Sequence, residues 1–344
     1  MLALTWGKAP NVIVIVIGGV LLIGSVLAAV QHAEVVAHKV GEPFGSLVLA
    51  VAVTVIEVAL IVTLMVSGKG DTTSLARDTV FSAVMLTMNG IVGLSLLVGA
   101  MRHHLPQFNP EGAGSALATV VTLAVLTLVL PTFTTSEPGP VFSSSQLIFA
   151  AIASLGLYGA FVFTQTVQHR DFFLPVSADG GVLDEDQHAD PPSASQALVS
   201  LALLLVALVA VVGLTKTESP AIEAGVAAIG FPHSFVGVVI AALVLLPESI
   251  AAIRAARLNR MQTSLNLAYG SAMASIGLTI PTIAVLSFWL PDKLTLGLEP
   301  VHMVLLALSV VVAVLTVVPG RAKALHGWVH LSVLAAFLFL SVRP

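Results

Sequence analysis

The chain has 344 residues, of which 57% are hydrophobic and only 9% charged. Soluble globular chains carry about 25% charged residues, so a soluble domain is excluded. Long unalternated apolar runs exclude a β-barrel, and a net charge of −4 offers no basic surface for nucleic acid.

A membrane-spanning helix needs roughly 20 apolar residues, so ten would use about 200, which matches the composition. In chain order, the apolar segments are 11–31, 44–66, 79–100, 113–133 and 145–167. A polar stretch over 168–195 follows, and then 196–214, 233–256, 263–290, 298–318 and 325–342. The first run is too long for a cleavable signal and reads as a span. Pro281 predicts a kink or an early end in the eighth segment. Glu218–Gly230 reads either as an extension of the sixth helix across Ser219-Pro220 or as a re-entrant lead-in. No Cys is present, which removes disulfides, thiolate metal sites and Cys nucleophiles.

The pattern predicts an all-α polytopic membrane protein of about ten transmembrane helices. Five segments precede the polar stretch and five follow it. An odd number per half forces the halves into opposite orientations, giving two inverted repeats over 1–167 and 196–344 joined by an acidic loop over 168–195. Placing Glu57 on Glu248 aligns GEPFGSLVLAVAVTVIEVALIV with PHSFVGVVIAALVLLPESIAAI without a gap. DTVFSAVMLTMNGIVGLSL likewise matches QTSLNLAYGSAMASIGLTI, putting Ser82 on Asn266 and Gly93 on Gly277. Lys39, Arg102, Arg170, Arg254, Arg257, Arg260, Arg321 and Lys323 on one side outnumber Lys8, Lys69, Arg77, Lys216, Lys293 and Arg343 on the other. The acidic loop is therefore expected in the cytoplasm, with both termini outside.

Glu57 and Glu248 fall in mid-helix, one in each half. A carboxylate at the bilayer centre costs at least ~2.5–3.5 kcal/mol and normally marks an ion or proton path. Two of them at one site can neutralise a cation or hold protons, but not both at once, which is the physical basis of antiport. Thr54 lies one turn before Glu57. Ser82 and Asn89 are spaced to share a face with Gly93, and Asn266 and Gly270 to share one with Met273 and Gly277. Such hydroxyl and amide oxygens suit hard cations. Pro247 removes the hydrogen bond to the carbonyl of Leu243, leaving a plain kink or an ion-facing carbonyl. Glu34, Glu42, Glu223 and His233 sit where they would line an access path, whereas the other histidines near segment ends, His330 among them, read as interfacial. Asp184, Glu185, Asp186 and Asp190 form either a solvated loop or a weak divalent-cation collector, expected to modulate transport rather than carry it. No nucleophile arrangement or H-E-x-x-H is present, so the chain does not read as an enzyme.

The stretches EPFGSLVLAVAVTVIEVALI and SLNLAYGSAMASIGLTIPT, with the acidic loop between the halves, resemble the calcium/cation antiporter superfamily, specifically its bacterial ChaA-type branch. The resemblance implies ten helices, a central cation site on helices two, three, seven and eight, and essential glutamates at Glu57 and Glu248. Relatives place Asn and Thr before each glutamate. Here those stretches read VTVIE and VLLPE, so the cation is open among Ca2+, Na+ and K+. The expected activity is cation/proton antiport by alternating access, the alternatives being a cation channel or a monovalent-only antiporter. The expected partners are a bacterial cytoplasmic membrane, small inorganic cations and protons, with no resident cofactor and no oligomeric state specified.

Overall fold

A computed structural model of the protein describes residues 12–41, 44–67, 73–176, 192–289 and 293–343. Its helices are α1 (Val12–Val40), α2 (Phe44–Ser67), α3 (Leu75–His103), α4 (Pro110–Thr132) and α5 (Ser144–Gln168). The second half holds α6 (Ala194–Ala228), α7 in two pieces (Phe235–Val244 and Leu246–Arg257), α8 (Met261–Trp289), α9 (Pro300–Val317) and α10 (Ala324–Val342). Among the described residues, nine single helices are long and apolar enough to span a membrane, and the bent α7 pair makes a tenth.

Local chemistry sets the helix ends. Ser143 and Ser193 each form a capping box, with Gln146 and Gln196 respectively. Asn109 caps α4 by accepting from the Glu111 N–H, with Pro110 in the first turn. α1 continues past the predicted residue 31 because Val30, Ala33, Val36 and Ala37 keep a buried face through its polar last turns. α6 runs unbroken through Pro220, so the re-entrant reading of Glu218–Gly230 is corrected. One lost backbone hydrogen bond is outweighed there by packing of Leu214, Thr215, Glu218 and Ser219 in the interior. α8 likewise continues past Pro281 to Leu286 before a 3-10 turn, rather than ending early. Pro247, by contrast, coincides with a 55° bend between the two pieces of α7.

The two halves repeat each other with exchanged partners. α3 packs on α10 and on the first piece of α7, while α8 packs on α5 and α2. α1 lies along α6, its counterpart. Gly41 and Gly230 end these two helices with φ of 76° and 75°, as a left-handed C-terminal turn requires. The connections swap in the same way. Gln107, between α3 and α4, bridges to Arg321, between α9 and α10; Thr295, between α8 and α9, bridges to Val141, between α4 and α5.

Two apolar clusters result. One unites α3, α4, α5, α8, α9 and α10; the other unites α1 and α6; α2 and α7 contribute to both. The helices that carry Glu57 and Glu248 therefore lie at the seam.

The closest crossings use glycine. A Cβ added to Gly277 on α8 would meet Tyr158 of α5 at 2.8 Å, and one added to Gly93 on α3 would meet His330 of α10 at 3.0 Å. Gly277→Ile should therefore destabilise the protein by about 1–3 kcal/mol through overpacking. Gly156→Ala, where an added Cβ meets nothing within 4 Å, should leave it unchanged or slightly more stable. Melting temperatures in detergent compare the two. Equal values would remove the α5–α8 crossing as a support of the fold.

Candidate functional site

Glu57 is 2% exposed. α2 crosses α8 where Ser275 and Thr279, one helical turn apart, face it. Both hydroxyls donate to Glu57 Oε2 at 3.0 Å. The other oxygen, Oε1, is buried without a hydrogen bond, as is Oγ1 of Thr54 one turn earlier. The helix thus presents a half-satisfied carboxylate and a spare hydroxyl on one face.

Glu248 stands just past the α7 bend, in the first turn of the second piece. It is half-buried, and its Oε2 is enclosed without a hydrogen bond. It lies within electrostatic reach of both Glu57 and Glu34. Among the described residues neither Glu57 nor Glu248 forms an ion pair. Ser95 takes the place in the first half that Thr279 takes in the second, and its buried Oγ is also unpartnered. Among the described residues no three His, Asp or Glu side chains converge as a metal cage.

Glu248 opens onto a cavity of about 190 Å³ between α2, α5, α7 and α8. Tyr158, Gln165, Asn266, Gly270, Ser271 and Met273 help to line it. These residues lie toward the C-terminal end of α5 and the N-terminal end of α8. The crevice therefore occupies the half of the bundle nearer the α5–α6 connection. Glu57 is sealed while Glu248 is reachable.

The other predicted residues divide into those on the crevice and those away from it. Asn266 lines the crevice wall, donating to the Phe173 carbonyl at 2.7 Å and accepting from Gln262 at 2.9 Å. Gly270 leaves open space. Glu34 is exposed near Arg254. Glu223 accepts from Ser219, and His233 is exposed at the start of α7. Leu243 packs partly buried beside the α1–α6 cluster, and the Leu245 N–H at the break points to the carbonyls of Ala241 and Leu243. Ser82 donates to its own helix, at the Asp78 carbonyl. Asn89 differs most from expectation: it donates to Ser309 at 2.8 Å and meets His330 at 3.3 Å, so it serves α9 and α10. A π-helical turn over Leu86–Ile91 inserts an extra residue between Ser82 and Gly93 and breaks their expected common face. His330, expected at the interface, is fully buried because α10 begins two turns before it. Glu42, Asp184, Glu185, Asp186 and Asp190 lie outside the described residues.

Sequence reasoning missed Ser275 and Thr279. They form a stripe with Ser271 at four-residue spacing, next to the Asn266–Gly270–Gly277 stripe that drew attention. It also missed Tyr158 and Gln165 on the crevice wall, and Glu218, a 3% exposed carboxylate packed against Gly18 of α1.

The family described as sodium/calcium exchanger protein matches residues 10–167 and 199–343. The protein y4hA of Sinorhizobium fredii, an ionic transporter by name, is 44% identical over 338 residues, covering 97% of this chain and 90% of its own. The sodium-potassium/proton antiporter ChaA of Escherichia coli is 35% identical over 337 residues, covering 97% and 91%. The solved structure of native YfkE shares the fold with a TM-score of 0.75 at 17% identity, over 99% of this chain and 95% of that one.

Because the chain has no Cys, single thiols can map the cavity. Ser271→Cys should react rapidly with a water-soluble maleimide, and Ser275→Cys, one turn further and 3% exposed, at least about tenfold more slowly. Equal rates would mean that Glu57 is not sealed from the crevice.

Proposed function

This chain belongs to the sodium/calcium exchanger family, and on that premise we propose that it is a cation/proton antiporter in which Glu57 and Glu248 bind either the cation or protons. The observation that carries this reading is the pair itself. Two carboxylates from symmetry-related helices sit within electrostatic reach of each other, without a Lys or Arg partner among the described residues. Removed from water, they require a neutralising charge. A divalent ion neutralises both at once; monovalent ions or protons do so singly. A carboxylate that holds a proton cannot also hold a cation, so one site serves both substrates in turn, as coupled exchange demands. The unpartnered oxygens of Thr54, Glu57, Ser95 and Glu248 are the ligand groups left free for that cargo.

The charge bias of the connections assigns the α5–α6 side to the cytoplasm of a bacterial cell. The crevice beside Glu248 is then the cytoplasmic entrance, and exposed Glu34 stands on its approach. Ca2+ suits two carboxylates by charge. Two monovalent ions, Na+ or K+, match the same pair of charges.

Purified protein in liposomes with a trapped proton-sensitive dye tests this. External CaCl2, NaCl or KCl, added separately, should raise internal pH as protons leave against the entering cation. The salt that does so identifies the cargo. Cation entry without proton exit, with no other exchangeable ion present, would leave a channel instead. Glu57→Gln and Glu248→Gln are nearly isosteric but can neither neutralise a cation nor release a proton. Each should exchange at less than about a tenth of the wild-type rate, a loss of at least ~1.4 kcal/mol of transition-state stabilisation.

Competition also fixes the sign of the pH dependence. Each proton bound at the pair excludes cation, so apparent cation affinity should weaken as pH falls on the cation-loading side. The maximal rate should change little while protons remain available opposite. An affinity independent of pH across the range where transport is active would separate the proton site from the cation site.

A further inference from the structure

Glu218 is a further buried carboxylate, and the site described above does not use it. It is 3% exposed, on the face of α6 that packs along α1. A Cβ added to Gly18 of α1 would collide with its Oε1, so the carboxylate fills the space that this glycine leaves. Among the described residues no hydrogen-bond donor and no cation reaches it. The titratable groups around it are few. On α6 itself Lys216 is exposed, and Glu223 accepts from Ser219. α1 carries none from Val12 to Gln31, and α2 none between Glu57 and Ser67. His233 is exposed at the start of α7, which has no other before Glu248.

Packing does not require a carboxylate here, as the other half of the repeat shows. Gly41 and Gly230 close α1 and α6 in the same way. In that register Glu34 falls on Glu223, Val26 on Thr215, Ala29 on Glu218 and Val30 on Ser219, and Gly18 falls on Ala207. The counterpart of the Gly18–Glu218 contact is therefore a pair of alanines, Ala207 and Ala29, buried in the α1–α6 cluster. From Ala194 to Glu218, α6 rises about 36 Å. The hydrocarbon core is ~30 Å thick, so Glu218 lies near the outer face, opposite the α5–α6 connection, within reach of that face's protons. An unpartnered carboxylate between two helices keeps its place while it holds a proton; once ionised it has to be hydrated. Hydration here means parting Glu218 from Gly18. α1 and α6 share their apolar cluster with residues of α2 and α7, so this seat bears on the helices that carry Glu57 and Glu248.

We propose that Glu218 is a second proton site, separate from the central pair, through which the pH of the outer face sets how firmly α1 is seated on α6. The proton passes to and from water at that face. Protonated, Glu218 closes the pair and holds the arrangement described here, with the crevice beside Glu248 open. Deprotonated, it draws water into the outer end of the pair and disfavours that arrangement. The link to access rests on the antiport reading above; the proton site itself does not.

Spin labels at Val20→Cys and Val212→Cys, both exposed to lipid on the two helices, report the α1–α6 spacing without disturbing the packed face. The measurement is made in the Glu57→Gln/Glu248→Gln protein, whose central pair cannot titrate. Spacing should widen as pH rises from mildly acid to mildly alkaline. Adding Glu218→Gln should hold the short spacing throughout. Gly18→Ala, which expels the carboxylate from its seat, should hold the wide spacing throughout, and it decides the matter if Glu218→Gln fails to fold. A spacing that ignores pH, or that follows it equally in the Glu218→Gln protein, overturns the proton site. With the central pair intact, labelling of Ser271→Cys from the α5–α6 face of oriented liposomes should fall severalfold as the pH of the opposite face rises. Glu218→Gln should abolish that fall while exchange continues. A fall that persists in Glu218→Gln overturns the link to access. A spacing response that Glu218→Gln removes, in a protein that moves cation without proton exit, keeps the site and overturns antiport.

Discussion

The carboxylate of Glu57, held at one oxygen by Ser275 and Thr279 and by nothing at the other, is the constraint around which the rest of the structure is arranged. Hydrocarbon gives such a group no solvent, so it needs a counter-charge or a proton at every moment. A permanent Lys or Arg partner would satisfy it and end its usefulness. Two hydroxyl donors are enough to orient the group without neutralising it. On the antiport reading proposed above, the cation or proton that completes the charge arrives from solution.

The fold supplies this twice and differently. Glu248 occupies the equivalent place in the second half, but it sits past a 55° helix bend and faces a crevice. The sealed and the reachable carboxylate are the same structural element in two conditions. The swapped loop bridges and exchanged helix partners make each half the other's inverted copy, which is the symmetry that the proposed alternating access uses. α2 and α7, which carry the two glutamates, contribute to both apolar clusters.

The departures from symmetry are as informative as the symmetry. Met273 and Tyr158 in one half are matched by Asn89 and His330 in the other. The latter pair is embedded in a polar network, and the former lines the crevice. A buried histidine–asparagine contact in a membrane bundle is expensive unless every group is satisfied. Here Ser309 and Thr316 supply the remaining partners.

Sequence alone determined the number and approximate limits of the spans, because apolar run length is a local property measured against bilayer thickness. It also singled out Glu57 and Glu248, since a charge inside an apolar run stands out in any context, and it paired them through the repeat. It could not determine which helix face meets which neighbour. In a soluble bundle, amphipathicity marks the inner face; in a bilayer, lipid and protein core are equally apolar and that signal disappears. Ser275 and Thr279 were therefore indistinguishable in sequence from the neighbouring stripe until α2 crossed it. A π-helical turn at Leu86–Ile91 separates Ser82 from the face that Asn89 and Gly93 share toward His330. The same ambiguity hid the burial of His330 and the crevice wall at Tyr158, which depend on how α10 and α5 settle on Gly93 and Gly277. Those contacts join residues far apart in the chain, and only the packed bundle brings them together.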